Sequence, residues 1–211
     1  MDKFRILIAD DHAIVRKGLR QLILEEYPSA EIGEVGDVET LVSEVLKAEW
    51  HLAICDISMP GRSGLEGLQQ IREISPSLPV LIMSMHPEDQ YALRAFRAGA
   101  SGYLSKDAVH EELIPSIRMI RNGRKFITPG IAEKLIGALD TGHSREPHET
   151  LSNREFDVLK MLAAGKSITE IAEQLSLSAT TVSTYRSRIL EKTGLRNNAD
   201  LTRYALEKRL I

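Results

Sequence analysis

The sequence predicts an α/β fold, a doubly wound parallel sheet, followed by a small all-α domain of four helices. Three observations carry that expectation. Short, near-continuous apolar runs alternate with helix-length amphipathic segments through the first half of the chain. Runs of that kind suit parallel strands covered on both faces, and their alternation with helices implies right-handed βαβ units. A stretch from Asp140 to Thr150 then has no apolar residue, and beyond it only helical spacing with cap signals appears.

Taken in order, Phe4-Arg5-Ile6-Leu7-Ile8-Ala9 runs into Asp10-Asp11. A helix follows, with Val15, Leu19, Leu22 and Ile23 at 3-4 spacing, and a second carries Leu41, Val45 and Leu46. The run His51-Leu52-Ala53-Ile54-Cys55 ends in Asp56, and Leu65, Leu68 and Ile71 mark the next helix. Val80-Leu81-Ile82-Met83 ends in Ser84, and Gly102-Tyr103-Leu104-Ser105 ends in Lys106. Pro129 opens a short helix, about 129–139, with Ile131, Leu135, Ile136 and Leu139 on one face. The organisation expected is a first domain over 1–122, a linker over 123–150 containing that helix, and a second domain over 151–211.

Composition narrows the function classes. With 211 residues and 43% hydrophobic content the chain can build two modest cores. One cysteine, Cys55, excludes a disulfide framework and a cysteine metal site. No signal-peptide layout and no membrane-length apolar stretch occur, so a cytoplasmic protein without a membrane partner is expected. Charge is uneven: 14 basic against 19 acidic residues over 1–124, but 10 against 7 over 151–211. A basic second domain makes nucleic acid a candidate partner.

In an open parallel sheet, ligands bind outside the carboxyl ends of the strands, where the strand order reverses. Asp10, Asp11, Asp56, Ser84 and Lys106 all stand at such ends. Asp or Ser at a strand end is by itself an ordinary turn or cap residue. Together they supply what phosphoryl transfer to a carboxylate needs: Asp56 as acceptor on an accessible loop, carboxylate oxygens for a hard cation such as Mg²⁺, and a lysine. Ser84 can hydrogen-bond a phosphoryl oxygen.

These residues, with Met59-Pro60-Gly61 after Asp56 and Gly102-Tyr103-Leu104 before Lys106, resemble the receiver domain of two-component response regulators. The resemblance implies a flavodoxin-like, doubly wound five-stranded parallel sheet of order 2-1-3-4-5. It implies Mg²⁺ (or Mn²⁺) held by Asp11, Asp56 and the Ser58 backbone carbonyl, with Asp10 helping through water. Ser84 and Tyr103 match the family's switch pair, in which phosphate draws the hydroxyl inward and the ring follows. Ser58 and His86 match the positions that tune phosphate lifetime. Asp107 departs from the proline common after the lysine.

In 151–211, Ser152-Asn153-Arg154-Glu155 and Ser167-Ile168-Thr169-Glu170 are capping-box sequences. The connection Ser176-Leu177-Ser178 leads into a helix from about Ala179 to Thr193, a helix-turn-helix with that helix available to a major groove. At 100° per residue, Thr180, Ser183, Thr184, Ser187 and Glu191 form one polar stripe opposite Val182, Tyr185 and Ile189. Arg188 and Lys192 flank one side and Arg186 the other. Hydroxyls between basic shoulders suit base contacts flanked by phosphate contacts. The segment Thr181-Val182-Ser183-Thr184-Tyr185-Arg186-Ser187-Arg188-Ile189 also resembles the LuxR-type DNA-binding domain, although that family often has lysine at Ser183. The fourth helix, Ala199 to Lys208, matches the family's dimerising segment.

The two resemblances together imply a NarL/FixJ-type regulator rather than a turnover enzyme. A histidine kinase would phosphorylate Asp56, and the phosphorylated protein would form a homodimer on double-stranded DNA. Thr181, Ser183, Thr184, Arg186, Ser187, Arg188 and Lys192 are the DNA-binding candidates. An aspartyl-phosphate hydrolase is disfavoured because Ser58 stands where such enzymes carry a second Asp. A DNA-binding scaffold with a vestigial first domain is disfavoured by the intact acidic pair and Lys106. A dinucleotide-binding domain is disfavoured because no Gly-x-Gly-x-x-Gly follows the first run.

Overall fold

In the computed structural model, which describes residues 3–140 and 146–211 apart from the side chains of 89, 134, 135 and 137–140, the chain divides into two units, Met1–Thr141 and Gly142–Ile211. The first is built on strands β1 (Arg5–Ala9), β2 (Glu31–Val35), β3 (Leu52–Asp56), β4 (Val80–Ser84) and β5 (Gly102–Ser105). They pair in parallel in the order β2-β1-β3-β4-β5. Helices α1 (Ala13–Glu26), α2 (Val38–Lys47), α3 (Gly64–Ile74), α4 (Glu88–Arg97) and α5 (Val109–Arg121) alternate with them.

The central strands β3 and β4 are buried at every position, which is why they read as unbroken apolar runs. Edge strand β2, Glu-Ile-Gly-Glu-Val, is buried only at Val35, and none of the apolar runs in the sequence marks it. Its Gly33 is needed for close packing: a Cβ there would lie 2.5 Å from the Trp50 ring. One core cluster joins Ile6, Ile8, Ile54, Leu81, Met83 and Leu104 of the sheet to Leu19 and Ile23 of α1 and to Leu113, Ile117 and Ile120 of α5.

The chain does not leave this unit after α5. The Phe126 amide donates to the Ser101 carbonyl at 2.9 Å, and helix α6 (Pro129–Asp140) contacts α4. The Thr128 hydroxyl donates to Glu88 Oε2 at 2.9 Å and accepts from the Ile131 amide, which starts α6. Ile131 is buried, but Ile136, expected on the same packed face, is 58% exposed. Helical spacing marks a stripe without saying how far along it the neighbour reaches. The side chains of Leu135 and Leu139 of that stripe, and residues 141–145 of the polar stretch, lie outside what is described.

The second unit holds α7 (Asn153–Ala163), α8 (Ile168–Leu175), α9 (Ala179–Thr193) and α10 (Asn198–Glu207). Ser152 and Ser167 each accept from the amide three residues on while Glu155 and Glu170 reach back, so both expected capping boxes form. Ser178 caps α9, and Ser176 takes the left-handed conformation (φ 54°) that turns the chain between α8 and α9. Phe156, Leu159, Ile171, Val182, Ile189, Leu201 and Ala205 are all buried and form the core.

Candidate phosphoryl pocket and candidate nucleic-acid interface

Strand pairing brings the polar ends together. Ala9 is opposite Cys55, Asp56 opposite Met83, and Ser84 opposite Ser105. Asp10, Asp56, Ser84 and Lys106 therefore end four neighbouring strands at one edge, beside the β1/β3 point where the order reverses.

Asp10 and Asp56 are buried (0% and 1% exposed) while Asp11 is exposed. Lys106 stands between the two buried carboxylates, its Nζ 2.6 Å from Asp10 Oδ2 and 2.7 Å from Asp56 Oδ2. The ammonium is aligned for hydrogen bonding with Asp56 but not with Asp10 Oδ2, which, like Asp56 Oδ1, is buried without a well-formed hydrogen bond. Burial pushes the Asp56 carboxyl above the usual range, against the opposing hydrogen bond and charge of Lys106. For Lys106, burial disfavours the charge, but the close contacts and negative charges of Asp10 and Asp56 outweigh it and raise the ammonium.

Local backbone geometry fixes these groups. Asp10 Oδ1 accepts from the His12 amide at 2.8 Å, and its carbonyl accepts from Arg16 Nη1 at 2.5 Å. At Asp56 the close approach is Gly64, the first residue of α3, where a Cβ would sit 1.9 Å from the Asp56 carbonyl oxygen. Only glycine lets that helix start against the end of β3.

One donor atom from each of Asp10, Asp11, His12 and Asp56 can be grouped within 4.8 Å. Three carboxylates, two of them with a buried oxygen lacking a hydrogen bond, are the donor set a hard divalent cation takes, so these residues fit Mg²⁺. His12 did not figure among the expected site residues. Its Nδ1 is 2.6 Å from Asp11 Oδ1, and its position directly after the acidic pair was the available signal.

Ser84, Tyr103 and Ser58 all converge on His86. The Ser84 hydroxyl accepts from the His86 amide at 3.0 Å, and the Tyr103 hydroxyl donates to the His86 carbonyl at 2.9 Å. Ser58 Oγ lies 3.1 Å from His86 Nε2, while the His86 ring stacks on Tyr91 at 4.5 Å between centroids. Tyr103 is fully buried, so its ring already occupies the interior.

On α9, Ser183, Thr184, Ser187 and Arg188 are exposed. The other expected DNA-contacting residues are engaged within the unit. Thr181 shares a 2.8 Å hydroxyl contact with the cap residue Ser178, and Arg186 Nε donates to Asn198 Oδ1 of α10 at 2.7 Å. Lys192 Nζ donates to Glu155 Oε2 at 2.7 Å. Although burial opposes its charge, the Glu155 carboxyl is held below the usual range by Lys192 and Ser152. Capping explained Glu155 from the sequence, but its second partner, 37 residues away, left no local signal.

Residues 6–118 match the family described as response regulator receiver domain, and residues 149–205 match the bacterial regulatory proteins of the luxR family. The chain is 32% identical to the oxygen regulatory protein NreC of Staphylococcus carnosus, covering 98% of this chain and 99% of that protein. It is 31% identical to the response regulator UvrY of Escherichia coli K12, covering 95% and 93%. Among solved structures it resembles RcsB of Salmonella enterica serovar Typhimurium bound to a promoter in the presence of a phosphomimetic (TM-score 0.60, 28% identity, 96% of this chain and 98% of that one). No helix among the described residues is long and apolar enough to cross a membrane.

Proposed function

From the premise that this chain belongs to the response regulators that join a receiver domain to a LuxR-type DNA-binding domain, we propose that phosphorylation of Asp56 by a histidine kinase switches it to a dimeric, DNA-binding state. The observation that carries this reading is Lys106 held between Asp10 and Asp56, beside a buried Asp56 oxygen with no hydrogen bond. Mg²⁺ (or Mn²⁺), held by Asp10, Asp11, Asp56 and the Ser58 carbonyl, would neutralise the phosphoryl oxygens. A carboxylate oxygen of Asp56 forms the new O–P bond as the N–P bond of the kinase phosphohistidine breaks, and the departing imidazole takes up a proton.

Lys106 then exchanges contact with carboxylate for contact with a phosphoryl oxygen. The Ser84 hydroxyl exchanges the His86 amide for a phosphoryl oxygen. Because Tyr103 is bonded to the His86 carbonyl with its ring inside, phosphate acts by holding this inward ring rather than by drawing it in. The added charge biases a two-state receiver. Moving a 1:99 population to 99:1 takes about 5.5 kcal/mol, so a partial shift is amplified by dimerisation and DNA. The protein accepts a phosphoryl group and does not turn over a substrate, and its work is cytoplasmic. Two half-sites about 34 Å apart would seat the dimer.

The test is a small phosphodonor with Mg²⁺ and mass analysis of wild type, Asp56→Asn and Ser84→Ala. One added phosphoryl group on wild type and Ser84→Ala, and none on Asp56→Asn, supports the assignment. Modification of Asp56→Asn at the wild-type rate would overturn it.

A further inference from the structure

The open face of α9 carries hydroxyls whose protons are already committed. Thr184 Oγ1 donates to the Thr180 carbonyl at 3.0 Å, and Ser187 Oγ donates to the Ser183 carbonyl at 3.2 Å. Both residues are exposed, and they lie three apart, about 60° from one another around the helix. A hydroxyl that donates back to its own helix turns only lone pairs outward. With Oγ1 of Thr184 directed to the backbone, its γ-methyl occupies another branch of Cβ and remains a separate apolar contact.

Cations that read guanine are largely absent from this part of the helix. Lys192 is held by the buried Glu155 carboxylate, and the Arg186 Nε is held by Asn198. Arg188 is the remaining cation without a partner among the described residues of α9, and it sits at the shoulder of the stripe, 40° from Thr184 and 100° from Ser187. Asn and Gln, which pair bidentately with adenine, do not occur in the helix.

In the major groove, adenine offers the N6 amino donor, cytosine the N4 amino donor and thymine a C5 methyl, whereas guanine offers only the acceptors N7 and O6, so the acceptor rejects guanine and the methyl contact selects A·T over C·G. An outward acceptor beside an outward methyl complements an A·T pair and opposes guanine. We infer that Thr184 reads an A·T pair at the centre of each half-site through adenine N6 and the thymine methyl, and that Ser187, an acceptor without a methyl, reads an adjacent amino group of adenine or cytosine, with Arg188 left to a flanking guanine or phosphate. This inference rests on the DNA-binding reading above.

Guanine is not forbidden. The hydroxyl can rotate to donate to it, forfeiting its bond to the helix carbonyl. That carbonyl keeps its backbone amide partner, so the loss is one neutral hydrogen bond, equivalent to about fivefold in affinity per position.

The test uses full-length phosphodonor-treated protein with Mg²⁺ and selection from duplexes with randomised half-sites, followed by binding to the selected duplex. Deoxyuridine in place of thymidine probes the methyl, and A·T to G·C replacement probes the amino group. Wild type should select A·T at the position facing Thr184 and adenine or cytosine over guanine at the position facing Ser187. Thr184→Val, which keeps the methyl and the shape, should lose about fivefold of the A-over-G preference and keep the thymine-over-uracil preference; Thr184→Ser should do the reverse. Selection of G·C at the position facing Thr184, or preferences unchanged in both Thr184 variants, overturns the inference while leaving DNA binding intact. Absence of binding to any duplex at low salt overturns the DNA-binding reading itself.

Discussion

Replacing the phosphoacceptor should stabilise the fold when no cation is present. Asp56 is 1% exposed, one of its oxygens has no hydrogen bond, and burial is the leading cause of its raised pKa. Asp56→Asn removes the buried charge while leaving an amide oxygen to accept from Lys106, which keeps Asp10 at 2.6 Å as its counter-ion. Relieving one poorly solvated carboxylate oxygen is worth about 1–2 kcal/mol, the cost of a buried unsatisfied acceptor. For a chain of this size that is a rise of roughly 2–8 °C in the melting temperature. The sign follows from linkage. A folded pKa above the unfolded value means stability fully present below the unfolded pKa, about 3.9, and lost as pH rises through the folded pKa. The variant's advantage in chelator should thus be absent at strongly acid pH, grow through the mildly acid range and be complete once Asp56 ionises. Mg²⁺ narrows the gap, because at ten times its dissociation constant it adds about 1.4 kcal/mol to wild type and less to the variant. Thermal melts of both proteins in chelator and in Mg²⁺ across that pH range measure all of this. An Asn variant that melts below wild type in chelator at neutral pH would refute burial as the dominant influence on Asp56.

Lys106→Met leaves Asp10 and Asp56 buried without their shared cation and should cost about 3–5 kcal/mol, read by denaturant melts in chelator and partly restored by Mg²⁺. Gly64→Ala drives a methyl to 1.9 Å from the Asp56 carbonyl oxygen; a loss of about 1–3 kcal/mol together with slower phosphorylation by a small phosphodonor is expected. Arg188→Gln should reduce the salt slope of DNA binding by about 1, whereas Lys192→Gln should leave that slope nearly unchanged and instead lower the stability of the second unit, since Lys192 is committed to Glu155. His86→Ala breaks the contact with Ser58 and the stacking on Tyr91, and a shorter aspartyl-phosphate lifetime is expected from water gaining access to Asp56, measured by loss of label over time.

What the sequence made legible follows from burial. Strands β1, β3, β4 and β5 are buried along most of their length, so their runs are apolar and their polar ends stand out as Asp10, Asp56, Ser84 and Lys106. Strand β2 escaped because an edge strand needs no apolar run, and Glu31, Gly33 and Glu34 interrupt it. The capping boxes were readable because cap and partner lie three residues apart. Pairings set by tertiary approach were not: Lys192 with Glu155, Arg186 with Asn198, and Ser58 with His86 have no local signature. A helical wheel puts Lys192 and Arg186 on the flanks of the polar stripe of α9, yet angle cannot say whether a flank is free or paired. The inward ring of Tyr103 is likewise a rotamer fixed by the His86 carbonyl, which residue identity alone does not specify.

The central claim is that chemistry at Asp56 controls DNA binding by the other unit. The most direct measurement is DNA affinity and dimer formation of full-length wild type and Asp56→Asn, with and without phosphodonor and Mg²⁺, on one duplex at one salt concentration. At least roughly tenfold tighter binding, about 1.4 kcal/mol, with concurrent dimerisation for wild type and no change for Asp56→Asn is the result expected. Equal affinity of wild type in both conditions, with Asp56 demonstrably phosphorylated, would contradict it.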